Sequence, residues 1–75
     1  MDRLKEYEKI YEKNKSTVYR YLKKRGLSDA VIYKLMQMLW VSMVKEKSLL
    51  HVDEACQRKW LLLRALELEH VLTEK

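Results

Sequence analysis

Proline is absent from the sequence, and glycine occurs only once. Loops, tight turns and sheet connections normally use both, because proline presets a turn and glycine tolerates a positive φ. Their scarcity favours a few long helices joined by short connections. A chain of 75 residues suffices for one small domain. We therefore expect an all-α fold, a single helical domain over residues 1–75 with no second domain.

Cysteine and histidine are also scarce. Cys56 is the only cysteine, so no internal disulfide can form, and His51 and His70 do not give zinc-site spacing. We predict no metal and no cofactor, and we infer a reduced, cytoplasmic setting. The N-terminus is charged throughout and lacks the apolar core of a signal peptide, which agrees with that setting.

Motifs that carry catalytic chemistry are missing. A single glycine cannot build a phosphate-binding loop, and no Ser/His/Asp set stands in a recognisable local motif. The carboxylates of Glu67 and Glu69 are two residues apart, so they point to different faces of a helix. We expect a protein that is not an enzyme.

The longest apolar run covers residues 31–44 and includes Lys34. A helix that spans a bilayer needs about 20 apolar residues, so this run predicts a buried helix and no membrane segment. Hydrophobic residues make up 48% of the chain, which excludes a disordered tail.

Helix one is predicted to begin after Asp2, a favourable N-cap, and to run to about Lys24. Asn14 and Lys15 weaken the middle of its apolar face. The sequence "KKRG" predicts the end of the helix, because cations suit the negative end of the dipole and Gly26 can adopt the left-handed conformation. The buried face has helical spacing and comprises Leu4, Tyr7, Tyr11, Val18 and Leu22.

Helix two is predicted to begin at Ser28, its N-cap, and to run to about Glu46. It is apolar round most of its circumference, so we expect it to be the central helix of a three-helix bundle, flanked by the other two. Only one strip is left for solvent, formed by Lys34, Gln37 and Val41. The apolar remainder comprises Val31, Ile32, Leu35, Met36, Met38, Leu39, Trp40, Ser42 and Met43.

The segment "KEKSLLHVD" lacks helical periodicity and is predicted to be a joint that tucks Leu49, Leu50 and Val52 against the bundle. Asp53 is the predicted N-cap of helix three, which runs from Glu54 to about Thr73. The apolar stripe of that helix comprises Leu61, Ala65, Leu68 and Leu72, with Trp60 and Val71 beside it.

The net charge of +5 is concentrated in the first 25 residues, which contain nine Lys or Arg residues and four Asp or Glu residues. The run "TVYRYLKKR" has two interpretations. Arg20, Lys23, Lys24 and Arg25 could contact nucleic-acid phosphates. Alternatively, the tyrosines are core or rim residues and the cations complete the end of helix one.

A second cluster opens helix three. Trp60 beside Arg58 and Lys59 could stack on an unpaired base while the cations hold the backbone. The alternative is a tryptophan of the core, since large aromatic side chains dominate small cores.

The order of these motifs resembles region 2 of bacterial sigma factors, in particular the small extracytoplasmic-function class. "VYRYLKKRGLSD" matches the end of the family's first helix and the turn after it. Gln37 falls at the family's glutamine position, preceded by the apolar pair Leu35 and Met36. Arg58 to Leu61 matches the aromatic "RxWL" entry to the next helix, and the resemblance covers roughly residues 5 to 72.

The chain also departs from that family's pattern. Tyr33 and Lys34 replace an acidic pair, and Met38 replaces an acid. Leu66 and Glu67 replace Arg and Asn, and helix three is rich in acids that repel phosphate, namely Glu67, Glu69 and Glu74. The family's helix-turn-helix domain is not within these residues.

The resemblance implies a transcription initiation factor domain. Lys34, Gln37 and Val41 would bind the clamp helices of the largest subunit of core RNA polymerase. The start of helix three would bind promoter −10 DNA through Arg58, Lys59, Trp60 and Arg64. The alternative is a sigma-like protein-interaction module that binds polymerase, a sigma subunit or a regulatory protein and has lost promoter recognition. A third hypothesis is a bundle that self-associates through Met36, Met38 and Met43 of helix two, because methionine suits adaptable surfaces.

Overall fold

The computed structural model describes residues 3–73, which form three α-helices and one short 3₁₀ helix and contain no strand. The helices are α1 (Arg3–Lys24), α2 (Asp29–Val44) and α3 (Glu54–Thr73), and the 3₁₀ helix (Lys47–His51) lies between α2 and α3. Each pair of α-helices is in contact. The predicted all-α, three-helix architecture is confirmed.

The turn from α1 to α2 follows the predicted chemistry. Gly26 has φ of 85°, and no atom lies within 4 Å of the position that a Cβ would occupy, so only the backbone conformation calls for glycine. Ser28 caps α2, because its Oγ accepts a hydrogen bond from the Val31 N–H at 3.3 Å. The helix ends at Val44, two residues earlier than predicted.

The joint before α3 is better ordered than its lack of periodicity suggested. Leu49 is buried, and two side chains hold the backbone of the joint. The Tyr7 hydroxyl donates to the Glu46 carbonyl at 2.9 Å, and Gln57 Nε2 donates to the Leu49 carbonyl at 3.1 Å. Val52, which was expected to pack against the bundle, is 40% exposed.

The buried face of α1 differs from the predicted one. Leu4 is 55% exposed, whereas Ile10 and Asn14 lie in the core, and Asn14 is only 2% exposed. Asn14 therefore does not interrupt the buried face but belongs to it. The predicted N-cap of α1, Asp2, lies outside the described residues, as does Glu74.

The core runs the length of the bundle and takes most of its residues from α1 and α2. Its fully buried apolar members are Val18, Leu22, Ile32, Leu35, Leu39, Met43, Leu49, Leu61 and Ala65. Contacts between α1 and α3 also exist, so the three helices pack mutually, and α2 contacts both of the others.

Direct ion pairs join α1 and the turn that follows it to α3. Lys13 pairs with Glu54, and the Arg25 guanidinium contacts both carboxylate oxygens of Glu69, with Nε at 2.7 Å from Oε1. The Glu69 side chain is largely covered. The two pairs hold opposite ends of α3 against α1.

Candidate interaction surfaces

The docking strip, defined here as Lys34, Gln37 and Val41, lies on the outer face of α2. All three side chains are exposed, and Val41 keeps 49% of its surface in solvent. Their spacing of three and four residues places them on one helical face. The predicted exposure of the strip is confirmed, and its role in binding stays a prediction.

Gln37 and Val41 also line a groove between α1 and α2 with a volume of about 430 Å³, which we call the acidic groove. Its other lining residues are Glu8, Tyr11, Glu12, Met36 and Trp40. The Tyr11 and Trp40 rings meet edge to face, with centroids 5.5 Å apart, and burial raises the pKa of the Tyr11 hydroxyl. The strip is therefore one wall of a larger concave surface, which carries two carboxylates contributed by α1.

A larger groove of about 680 Å³ continues along the same two helices, and we call it the tyrosine groove. It is lined by Tyr11, Lys15, Ser16, Tyr19, Arg20, Tyr33 and Met36. Tyr11 and Met36 belong to both grooves. The tyrosine groove has no carboxylate among its lining residues. Its cations are Arg20 and Lys15, and Lys15 pairs with Glu12 of the acidic groove.

Asp29 fixes the hydroxyl of one lining residue of the tyrosine groove, Tyr19. Its Oδ1 accepts hydrogen bonds from Lys23 Nζ and from the Tyr19 hydroxyl, both at 2.8 Å. The Lys23 ammonium, and secondly the Tyr19 hydroxyl, lower the pKa of the Asp29 carboxyl. The same hydrogen bond raises the pKa of Tyr19. Lys23 and Tyr19 thus have a structural role in joining α1 to the first turn of α2.

Asp53 caps α3 as predicted. Its Oδ1 accepts a hydrogen bond from the Cys56 N–H at 2.8 Å, and this bond lowers the pKa of the Asp53 carboxyl. The same carboxylate raises the pKa of the exposed Cys56 thiol, mainly through a side-chain hydrogen bond. The thiol therefore has less thiolate character than an ordinary cysteine.

Arg58 is turned towards α1 and bound there. Its Nε donates to Asn14 Oδ1 at 3.1 Å, while Asn14 Nδ2 donates to the Ile10 carbonyl at 2.8 Å. Both polar ends of the buried Asn14 side chain are satisfied, and one of them requires Arg58. Arg58 is a structural partner of the core as well as a predicted phosphate contact.

Trp60 and Arg64 contact each other on another side of α3. The Arg64 guanidinium lies 5.2 Å from the centroid of the Trp60 ring, and Arg64 Nη1 pairs with Glu67 Oε1 at 3.1 Å. Trp60 itself is half-buried against the core. The aromatic face predicted to stack on a base is therefore partly covered by the protein.

The four predicted nucleic-acid residues do not form one surface. Successive helical residues project about 100° apart, so Arg58, Lys59 and Trp60 point in three directions. Only Trp60 and Arg64 are brought together. Lys59 is exposed and, among residues 3–73, has no ion-pair partner.

Residues 3–73 contain neither a metal-ion site nor a membrane-spanning helix. In this part of the chain no group of three or more His, Cys, Asp or Glu side chains is placed to hold a metal ion. None of the helices described has the length and apolarity needed to cross a membrane.

Comparison of the chain with models of protein families, with curated proteins and with solved structures yields no match.

Proposed function

We propose that the chain is a protein-interaction module of the sigma region 2 type, which docks on core RNA polymerase through the docking strip of α2. The observation that carries the proposal is the exposure of Lys34, Gln37 and Val41 on a helix whose other long side chains are mostly in the core. The exposed valine offers a partner an apolar contact, while the lysine and the amide offer the polar contacts that are usual at the rim of an interface.

The acidic groove makes the surface next to the docking strip concave. Gln37 and Val41 form one wall, and Glu8 and Glu12 of α1 form the other. A partner helix laid in the groove would place apolar residues against the Tyr11 and Trp40 rings. It would also place a cation near Glu8 and an acid near Lys34. The clamp helices of the largest polymerase subunit are the partner that the sequence resemblance implies.

Binding of promoter DNA through α3, which the resemblance also implies, is less favoured than docking on polymerase. Arg58 is bound to Asn14, and Arg64 is bound to Trp60 and Glu67. A base could stack on Trp60 only after the Arg64 contact broke. The second candidate function, an initiation-factor domain that also binds −10 promoter DNA, is favoured by one observation, the unpaired and exposed Lys59.

A pull-down with core polymerase tests the proposal. We expect the wild-type chain to be retained, and the double variant Lys34→Glu with Gln37→Ala to be lost. Lys59→Glu, which makes the same charge change on α3, is the matched control and should be retained. Absence of wild-type retention, or equal loss with Lys59→Glu, would contradict docking through the strip.

A gel shift with single-stranded −10-like DNA separates the two candidates. If α3 binds promoter DNA, Lys59→Gln weakens the complex and raising the salt concentration dissociates it. If the chain only docks on polymerase and α3 does not bind DNA, Lys59→Gln has no effect on any DNA complex that forms.

A further inference from the structure

Three tyrosine rings and a methionine surround the tyrosine groove, and one of these rings has no evident structural role. Tyr33 is 72% exposed, and its hydroxyl has no hydrogen-bond partner in the described part of the chain. Tyr19 has its hydroxyl fixed by Asp29, yet its side chain remains partly exposed. Such rings are flat apolar platforms at the surface, which suit a planar ligand.

The charge of the groove selects among planar ligands. Residues 15–25 contain five cations and no acid. Lys15, Lys23 and Arg25 are paired with carboxylates, whereas Arg20 and Lys24 have no such partner within residues 3–73. Two cations on one side of α1 are therefore left uncompensated, and no carboxylate lines the groove itself. This arrangement favours an anionic ligand.

The cationic surface extends beyond the groove. Arg20 also borders a shallow depression of about 240 Å³, whose other lining residues are Thr17, Tyr21 and Lys24. Arg20 thus lines both concave sites. Each site also contains an aromatic ring, and the second site contains a further cation, Lys24, that has no ion-pair partner within residues 3–73. A mononucleotide would fill only the first site, whereas a chain of nucleotides would cross both.

We propose that this face of α1 and α2 binds single-stranded nucleic acid, with bases stacked on Tyr33 and Tyr19 and with Arg20 and Lys24 holding successive phosphates. Stacking platforms beside a basic track are the means by which proteins bind single strands without a sequence code. The bases of a duplex are stacked on one another, so the tyrosine rings could not stack on them. The site is separate from the start of α3 and does not depend on docking to polymerase.

Fluorescence anisotropy with a labelled oligothymidylate of about 12 nucleotides tests this inference. We expect binding that weakens as salt rises. Tyr33→Ala should weaken it roughly fivefold or more, because base stacking on one ring is lost, while Tyr33→Phe should keep it. Arg20→Gln should reduce the slope of log affinity against log salt by about 0.7, the value for one phosphate contact on a single strand.

Lys47→Gln is the matched control, because Lys47 is an exposed cation of the 3₁₀ helix that has no ion-pair partner within residues 3–73 and lines neither concave site, so the change should leave both the affinity and the salt slope unchanged. Four results would overturn the inference: no salt-dependent binding, equal effects of Lys47→Gln and Arg20→Gln, no effect of Tyr33→Ala, or tighter binding of the matching duplex. Competition by polyglutamate as strong as by the unlabelled oligonucleotide would identify a general polyanion surface and would also overturn it. Circular dichroism of each variant checks that the fold is retained.

Discussion

The docking strip of α2 and the start of α3 were predicted with the same kind of argument, and the structure separates them. Lys34, Gln37 and Val41 are exposed and have no polar or ionic partner elsewhere in the described chain. Arg58 and Arg64 are also polar residues at the surface, but each has an intramolecular partner. A surface side chain that already has a partner must break that contact before it binds anything else, and that cost reduces affinity.

The difference between the two regions shows that the position of a side chain at the surface does not by itself make the side chain free to bind a partner. Trp60 and Val41 are both apolar side chains of predicted binding surfaces, yet Trp60 packs on the core and Val41 is exposed. Substitutions in the two regions should therefore separate stability from binding. The start of α3 should respond mainly in the free energy of unfolding, and the strip mainly in partner retention.

Trp60→Ala should give the largest effect on stability in either region. Its half-buried ring packs against the core and lies beneath Arg64, so we expect a loss of about 2 kcal/mol in the free energy of unfolding, roughly half the cost of removing a fully buried tryptophan. Urea unfolding followed by circular dichroism measures this. A loss below about 0.5 kcal/mol, the range of ordinary surface substitutions, would place Trp60 with the strip residues.

Asn14→Ala should follow, with a loss of about 1 to 2 kcal/mol, because it removes a buried hydrogen bond to the Ile10 carbonyl and the acceptor for Arg58. A double-mutant cycle with Arg58→Ala should give a coupling energy of about 1 kcal/mol. The same cycle with Lys59→Ala is the control and should be additive. Additivity in both cycles would show that Arg58 is free to bind a ligand.

Asp53→Asn should leave stability at neutral pH nearly unchanged, because asparagine caps a helix as well as aspartate does. The pKa of Asp53 is lowered in the folded protein, so its stabilising effect is present above the unfolded pKa of about 3.9 and is lost as pH falls through the folded pKa. The variant lacks that loss. Its melting temperature should fall less steeply than that of the wild type below about pH 4, and parallel curves would contradict this.

The smallest effect on stability is expected in the strip. Lys34→Glu and Val41→Ser each change an exposed side chain and should alter the free energy of unfolding by no more than about 0.5 kcal/mol. Urea unfolding curves that overlay the wild-type curve would confirm that loss of polymerase retention reflects a lost contact. A larger loss would show that the strip supports the fold.

Local signals in the sequence were sufficient for most of the helix boundaries. The cap residues Ser28 and Asp53 and the left-handed Gly26 act on their immediate neighbours, so their positions could be predicted without tertiary information. The exposed strip was also predictable, since an apolar helix leaves few other positions for Lys34 and Gln37.

What could not be predicted depends on residues that are distant in the sequence. Asn14 appeared to break the buried face of α1, because its partner Arg58 lies 44 positions away. The predicted face also included Leu4, which is exposed, and left out Ile10, which is buried. The two grooves likewise combine residues of α1 and α2, so neither helix alone shows their shape, although all of their charged lining residues belong to α1. A basic and tyrosine-rich α1 was the available signal for the tyrosine groove.

The two tryptophans give this small domain a pair of natural optical reporters. Trp40 lines the acidic groove with its ring against Tyr11, and Trp60 lies under Arg64 on α3. If either tryptophan is replaced by phenylalanine, the fluorescence of the remaining tryptophan reports on only one of the two surfaces. Quenching or a spectral shift on adding a ligand would then show, without any attached dye, which face of the bundle is occupied.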